Sequence, residues 1–107
     1  MDFTAVKIVI FSPITHADQI REALAEAGAG QLGHYSACSF SSRGVGRFKP
    51  LKGSKPFLGQ ENVMELVEEE KIEVICETGI LEKVLAAVKA VHPYEEPAID
   101  IFPLLHF

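Results

Sequence analysis

The densest group of chemically capable side chains is His92-Pro93-Tyr94-Glu95-Glu96-Pro97, which we call the 92–97 turn. It places an imidazole, a phenol and two carboxylates within five residues. Prolines on both sides restrict the backbone and so fix the directions in which these groups point. Adjacent carboxylates can bind a hard cation or, when buried, drive each other's pKa apart. A polar turn that ends a helix and precedes a strand is the other interpretation, and the residues alone leave both open.

A basic segment precedes an acidic one. Between Ser41 and Gln60 there is no acidic residue and there are five basic ones, namely Arg43, Arg47, Lys49, Lys52 and Lys55. Between Glu61 and Glu77 there are seven glutamates and one base, Lys71. This division predicts two solvated surfaces of opposite sign, a basic site for an anionic ligand, or two patches that meet across a subunit interface.

A ligand site is predicted where the basic segment approaches the 92–97 turn. Arg47 and Lys49 are two residues apart and would project from one face of a strand, and Phe57 could anchor the loop that follows. The candidate ligand-binding residues are Arg47, Lys49, Phe57, His92, Tyr94, Glu95 and Glu96.

The same turn has two chemical interpretations. If it faces solvent, His92 and Glu96 could hold a divalent metal ion, helped by Cys38 or His34. If a glutamate of the turn pairs with Arg47 or Lys49, the residues form a lock between subunits and need no ligand. The lock is favoured because nearby cations repel a metal ion.

Signatures of common enzyme classes are absent from the sequence. There is no Gly-x-Ser-x-Gly elbow and no phosphate-binding Walker loop. The string Gly28-Ala29-Gly30-Gln31-Leu32-Gly33 matches a dinucleotide-binding pattern, but it ends a predicted helix instead of following a strand. Cys38 lies beside serines and near His34, which is a thin basis for a nucleophile, so it is interpreted as a small buried hydrophobe. We expect no intrinsic catalytic activity.

The composition limits the class of protein. The 107 residues are 48% hydrophobic and 23% charged, which is typical of one globular domain, residues 1–107. A net charge of −5 argues against nucleic acid or an anionic membrane as a partner. No apolar run approaches the roughly 18 residues that span a bilayer. With no visible signal peptide and only two cysteines, both expected to be reduced, we predict a cytoplasmic location.

Hydrophobic periodicity predicts an α+β fold. The pattern indicates strands over 6–11, 65–77 and 98–104, helices over 18–29 and 80–91, and a hairpin over 34–48 around a Ser-Arg-Gly turn. Thr15 and Thr78 are placed to cap the two helices. The order of elements predicts a ferredoxin-like sandwich, β-α-β-β-α-β, with two helices on one face of the sheet.

Large apolar residues occur on both faces of the predicted strands. They are Val9, Phe11, Ile75, Ile99 and Ile101. An uncovered sheet face is tolerated in a monomer only when it is polar. The pattern therefore predicts burial against other subunits, unless the register of the strands has been assigned wrongly.

Two long motifs resemble one protein family. They are the segment over 46–59, Gly-Arg-Phe-Lys-Pro-Leu-Lys-Gly-Ser-Lys-Pro-Phe-Leu-Gly, and the segment over 92–101, which contains the 92–97 turn. Together with Gly28-Ala29-Gly30 and Cys38-Ser39-Phe40, they are similar to the inserted middle domain of the Nif-three-like proteins, often labelled GTP cyclohydrolase I type 2-like. The resemblance implies a PII- and CutA-like fold that associates as a homotrimer.

The resemblance does not imply the family's enzymatic label. In that family a two-metal centre is carried by histidines and acidic residues of two flanking halves, and these 107 residues include neither half. The resemblance implies instead a non-enzymatic binding or regulatory module that senses a small ligand, a metal ion or a partner protein. The alternatives are an accessory subunit of a metal-dependent hydrolase of the Nif-three-like family and a purely structural adaptor.

Overall fold

The structure is a computed structural model that describes residues 3–105. Its elements are, in chain order, β1 (Ala5–Pro13), α1 (Ala17–Glu26), β2 (Phe40–Phe48), β3 (Glu65–Glu77), α2 (Leu81–Val91) and β4 (Ile99–Pro103). This order confirms the predicted β-α-β-β-α-β arrangement. Among the helices of these residues, none has the length and apolar composition required to cross a membrane.

The four strands form one antiparallel sheet in the order β2-β3-β1-β4. On the face covered by the helices, alternate residues of the two central strands meet in register, with Ile8 opposite Val74 and Ile10 opposite Ile72. These side chains are buried in one cluster with those of α1 and α2, among them Ile20 and Val88. Period-two burial in the strands and helical spacing in α1 and α2 together produce a two-layer sandwich.

The predicted hairpin over 34–48 is wrong. Residues 40–48 form the single strand β2, which pairs with β3 from Phe40 opposite Glu73 to Phe48 opposite Glu65. Gly44 lies inside this strand and not in a turn. The Ser-Arg-Gly sequence is locally turn-like, but β3 is long enough, at 13 residues, to offer a partner to every residue of β2. The hairpin is therefore formed by β2 and β3, joined by the connection over 49–64.

The predicted side-chain caps are not formed either. A short 3-10 turn precedes each helix, over Ile14–His16 and Thr78–Ile80, and neither helix has a side-chain cap. Thr15 Oγ1 hydrogen-bonds instead to His16 Nδ1, at 2.8 Å. Thr78 Oγ1 donates to the Phe3 carbonyl at 3.1 Å, so it fastens the start of α2 to the chain just before β1.

The opposite face of the sheet, which we call the open face, carries no helix among the described residues. Cross-strand register places Ile75, Lys7 and Phe102 in one row across it. Phe40, Phe102 and Ile75 remain 66%, 52% and 37% exposed there. Ile99 and Ile101 pair with Ile10 and Ile8 and so belong to the covered face, which corrects part of the apolar set expected on the open face.

Candidate functional site

The 92–97 turn is fixed to the sheet by His92. The His92 amide donates to the Val88 carbonyl and ends α2. Tyr94 N donates to His92 Nδ1 at 3.1 Å, so the ring proton is on Nε2, which donates to the Phe11 carbonyl at 2.8 Å. Burial lowers the pKa of His92, because it disfavours the charged imidazolium. His92 thus acts as a neutral link between α2 and β1.

Tyr94 reaches from the turn to a carboxylate on β3. Its hydroxyl donates to Glu69 Oε2 at 2.7 Å. Burial and the adjacent Glu69 carboxylate raise the pKa of Tyr94, so the phenol remains a donor. Glu69 is itself only 9% exposed. Glu69 is absent from the predicted site residues, because in the sequence it belongs to a run of three glutamates, 68–70, that is typical of a solvated surface.

Gly46 on β2 makes room for that carboxylate. A Cβ atom at Gly46 would overlap the Glu69 side chain, with Oε1 and Cδ as its nearest neighbours. At Gly44, two residues earlier on β2, a Cβ atom would meet nothing within 4 Å. The missing side chain at Gly46 is therefore the feature that lets Glu69 lie against β2.

The first part of the connection between β2 and β3 folds over the turn. The Phe57 ring lies 5.3 Å from His16 and 6.5 Å from Tyr94, measured between ring centroids. The Lys55 amide donates to Glu95 Oε1 at 3.1 Å. An aromatic contact and a charge-assisted hydrogen bond thus hold the loop over 49–57 against the turn.

A pocket of about 460 Å³ lies between the end of β2, the loop and the turn. Aromatic rings from four segments contribute to its wall, namely Phe11, Phe48, Phe57 and Tyr94. Six of the seven predicted ligand-binding residues line it: Arg47, Lys49, Phe57, Tyr94, Glu95 and Glu96. The seventh, His92, packs beside Tyr94, with 5.1 Å between ring centroids. Gly46 and Glu69 complete the wall.

The four candidate metal ligands are not brought together. Cys38 lies before β2 and is half-buried, not buried as predicted. Its amide donates to the Gly30 carbonyl, and the Gly30 amide donates to the Ile75 carbonyl, opposite Lys7 on β1. The Phe11 carbonyl that binds His92 is four residues further along β1, about 13 Å away. His34 is exposed in the loop before β2. Over residues 3–105, no three His, Cys, Asp or Glu side chains are arranged to hold a metal ion.

The predicted lock has no counterpart within the chain. Across residues 3–105, the ion pairs join Lys7 to Glu73 and Arg21 to Asp18 and Glu70, and none links the turn to Arg47 or Lys49. Glu95 accepts from the Lys55 backbone instead. The lock between subunits stays a prediction.

Curated relatives match most of this chain. It is 55% identical over 98 residues to a protein of Halalkalibacterium halodurans named GTP cyclohydrolase 1 type 2 homolog, and 45% identical over 98 residues to the Bacillus subtilis protein of the same name. Each match covers 92% of this chain but only 26% of the relative. The chain thus spans about a quarter of the length of these relatives. No family model matches it.

Among solved structures, a NIF3-related protein likewise matches most of this chain but only part of its own length. A Bacillus cereus protein related to NIF3 matches with a TM-score of 0.83 at 44% identity, covering 95% of this chain and 26% of that one. CutA1 from Shewanella sp. SIB1 matches with a TM-score of 0.73 at 19% identity, covering 100% of this chain and 87% of that one. The second match shows the fold alone. This chain is therefore similar, over 92% of its length, to about a quarter of the relatives named GTP cyclohydrolase 1 type 2 homolog, and its fold is that of CutA1.

Proposed function

We propose that this chain is a non-enzymatic binding module that acts as a cytoplasmic homotrimer and takes a small ligand into the pocket beside the 92–97 turn. The observation that carries the proposal is the pocket itself. Side chains from β1, β2, β3, the loop over 49–57 and the turn converge on one space of about 460 Å³. A concave, largely apolar pocket with a few polar groups is the ordinary form of a small-molecule site.

The homotrimer is supported by the open face. Apolar surface is exposed there by Phe40, Ile75 and Phe102. Val9, in the middle of the same face, is already buried within the chain and adds no such surface. Burying each large side chain is worth about 1.5–3 kcal/mol. A few of them per subunit are sufficient to hold sheets together around a threefold axis.

Light scattering after size-exclusion chromatography tests the assembly. We expect a mass three times the 11.7 kDa of one chain at micromolar concentration. Ile75→Asp puts a charge into the open face and should yield monomer, whereas Val63→Asp, which changes an exposed residue of the 49–64 connection, should leave the trimer intact. A monomeric unsubstituted protein would contradict the proposal.

Native mass spectrometry and a thermal-shift screen test the ligand. The screen should contain amines, carboxylates, phosphates and divalent metals, so that no chemical class is assumed. We expect at least one class to raise Tm, and Phe57→Ala, which removes one aromatic wall, to reduce that shift. If no class binds while the trimer persists, the chain is a structural adaptor and not a binding module.

A hydrolase accessory function is the second candidate, and the observation that favours it is the 55% identity to a relative named for GTP chemistry. Its test is GTP turnover by the purified chain with Mn²⁺ or Zn²⁺. Turnover that is lost on substitution of a pocket residue would support this candidate and contradict the non-enzymatic proposal.

A further inference from the structure

Two neighbouring glutamates of β3 are equally buried, but among the described residues only one of them forms an ion pair. Glu69 is 9% exposed and Glu70 is 8% exposed. Glu70 lies on the covered face and pairs with Arg21 Nη1 at 2.8 Å. Glu69 accepts one hydrogen bond, from Tyr94, and no cationic side chain of residues 3–105 comes within 4.0 Å of its carboxylate. Glu69 is thus a nearly buried carboxylate without a counter-ion.

Glu69 has room for a further partner: only its Oε2 accepts a hydrogen bond among the described residues, and because no buried side-chain oxygen there lacks a partner, Oε1 keeps contact with solvent. A carboxylate that is largely removed from water is normally stabilised by a paired cation and by further hydrogen bonds. One phenol is a small part of that compensation. Glu69 lines the pocket together with Gly46, so its carboxylate adjoins the space that a ligand would occupy.

The wall around Glu69 suits an organic cation. Aromatic rings attract cations through their negative faces, and the pocket is lined by Phe48, Phe57 and Tyr94. A small anion would meet the Glu69 charge. A divalent metal prefers six or more oxygen ligands, and over residues 3–105 no three His, Cys, Asp or Glu side chains are arranged to hold one.

Arg47 and Lys49 line the pocket, but among the described residues neither forms an ion pair with Glu69. Gly46 and Phe48 alternate with Arg47 along β2, so Arg47 starts from the opposite face of the strand to the one on which Glu69 lies. Glu95 and Glu96, at the other side of the pocket, add further negative charge.

We propose that this pocket binds a small organic cation, a primary ammonium or guanidinium ion, whose N–H groups donate to the Glu69 carboxylate and whose charge lies among the aromatic rings. This inference rests on the proposed function, because it names the ligand class of the same pocket. It requires no metal and no chemical step.

Calorimetry with a matched pair of probes tests the inference. Phenethylammonium and 2-phenylethanol share a ring and a chain length, and only the first carries charge. The buffer should be phosphate, because Tris is itself a primary ammonium. We expect phenethylammonium to bind about tenfold or more tightly than 2-phenylethanol. Butylguanidinium should also bind.

Two variants assign the binding to Glu69. Glu69→Gln should weaken phenethylammonium about tenfold or more and leave 2-phenylethanol unchanged. The control Glu68→Gln changes the preceding, exposed residue of the same strand and should alter neither probe. If Glu69→Gln does not fold, Tyr94→Phe replaces it. That variant keeps the ring and the carboxylate but removes the competing donor, so phenethylammonium should bind at least as tightly as to the unsubstituted chain.

Three outcomes would overturn the inference. Equal affinity for the two probes would mean that the pocket binds their shared apolar part and does not recognise the charge. Binding of another ligand class without any organic cation would refute this inference but leave the proposed function standing. Loss of the trimer in Glu69→Gln without amine binding by the unsubstituted chain would assign Glu69 to a cationic side chain of a second copy.

Discussion

His92 and Tyr94 are two residues apart but act in different ways. His92 uses both ring nitrogens to fasten the turn to Phe11 and to the Tyr94 amide, so it is occupied before any ligand arrives. Tyr94 crosses to Glu69 and presents its ring to the pocket. At the scale of single residues, a motif that looks like one ligand set is thus divided into a structural part and a binding part.

His92→Gln should give a pH-dependent loss of stability. Because burial holds the folded pKa of His92 below its unfolded value of about 6.5, the neutral histidine contributes stability above that pH, and the contribution is lost as the pH falls through the folded pKa. We expect a cost of about 1–3 kcal/mol at pH 7.5 that shrinks toward pH 5. Urea unfolding at several pH values measures it, and a difference that grows in acid would contradict the assignment. His34→Gln, at an exposed site, should cost under about 0.5 kcal/mol at pH 7.5.

Gly46→Ala should displace Glu69 and break its bond with Tyr94. The expected cost is about 1.5–3 kcal/mol, the usual range for a hydrogen bond to a charged group. Gly44→Ala is the matched control, because the same change on the same face of β2 meets open space. Urea unfolding should also show that Gly46→Ala costs little in a Glu69→Ala background. Equal costs in both backgrounds would mean that the overlap is not the cause.

At the scale of elements, the β2–β3 hairpin builds the pocket. Its strands carry Gly46, Phe48 and Glu69, and its connection carries Phe57 over the 92–97 turn. The first half of that connection is tied at two points, by the Asn62 amide on the Pro50 carbonyl and by the Lys55 amide on Glu95. One supersecondary unit thus supplies most of the wall, and the turn closes it.

Phe57→Ala should release the loop over 49–57 without unfolding the core. Phe57 is about half exposed, so we expect a global cost of about 1 kcal/mol. Hydrogen exchange should report lost protection at the Lys55 amide, with the buried strands unchanged. Val63→Ala, at an exposed site of the same connection, is the control. Unaltered exchange at Lys55 would show that Phe57 does not hold the loop.

At the scale of the whole molecule, the sheet is asymmetric. One face packs under two helices in a continuous core, and the other carries exposed aromatic and aliphatic groups. A fold with one helical layer leaves this face to be covered by another copy or by water. In the proposed homotrimer, other copies of the chain cover this face.

If the assembly forms, the thermal midpoint should depend on concentration. Subunit association stabilises the folded form by mass action, so Tm should rise over a hundredfold increase in protein concentration. Ile75→Asp should remove this dependence, since it places a charge in the open face. Differential scanning calorimetry measures both. A concentration-independent Tm in the unsubstituted protein would contradict association through folded subunits.

The sequence by itself determined the fold class, both helices, the strands β1, β3 and β4, and the local shape of the site. Period-two alternation predicted the strand over 65–77, and Ile72, Val74 and Cys76 on one side of it are buried. Prolines and aromatic residues singled out the 92–97 turn and Phe57. These signals depend only on residues close together in the sequence, so they can be found without the structure.

Only the tertiary structure decided how β2 pairs and where Glu69 lies. The residues of 40–48 look like a hairpin until β3 supplies a full-length partner. Glu68, Glu69 and Glu70 are chemically identical in the sequence. Cross-strand register sends Glu69 toward Gly46 and Tyr94 and Glu70 toward Arg21. Register depends on contacts between residues far apart in the chain, and no local pattern contains that information.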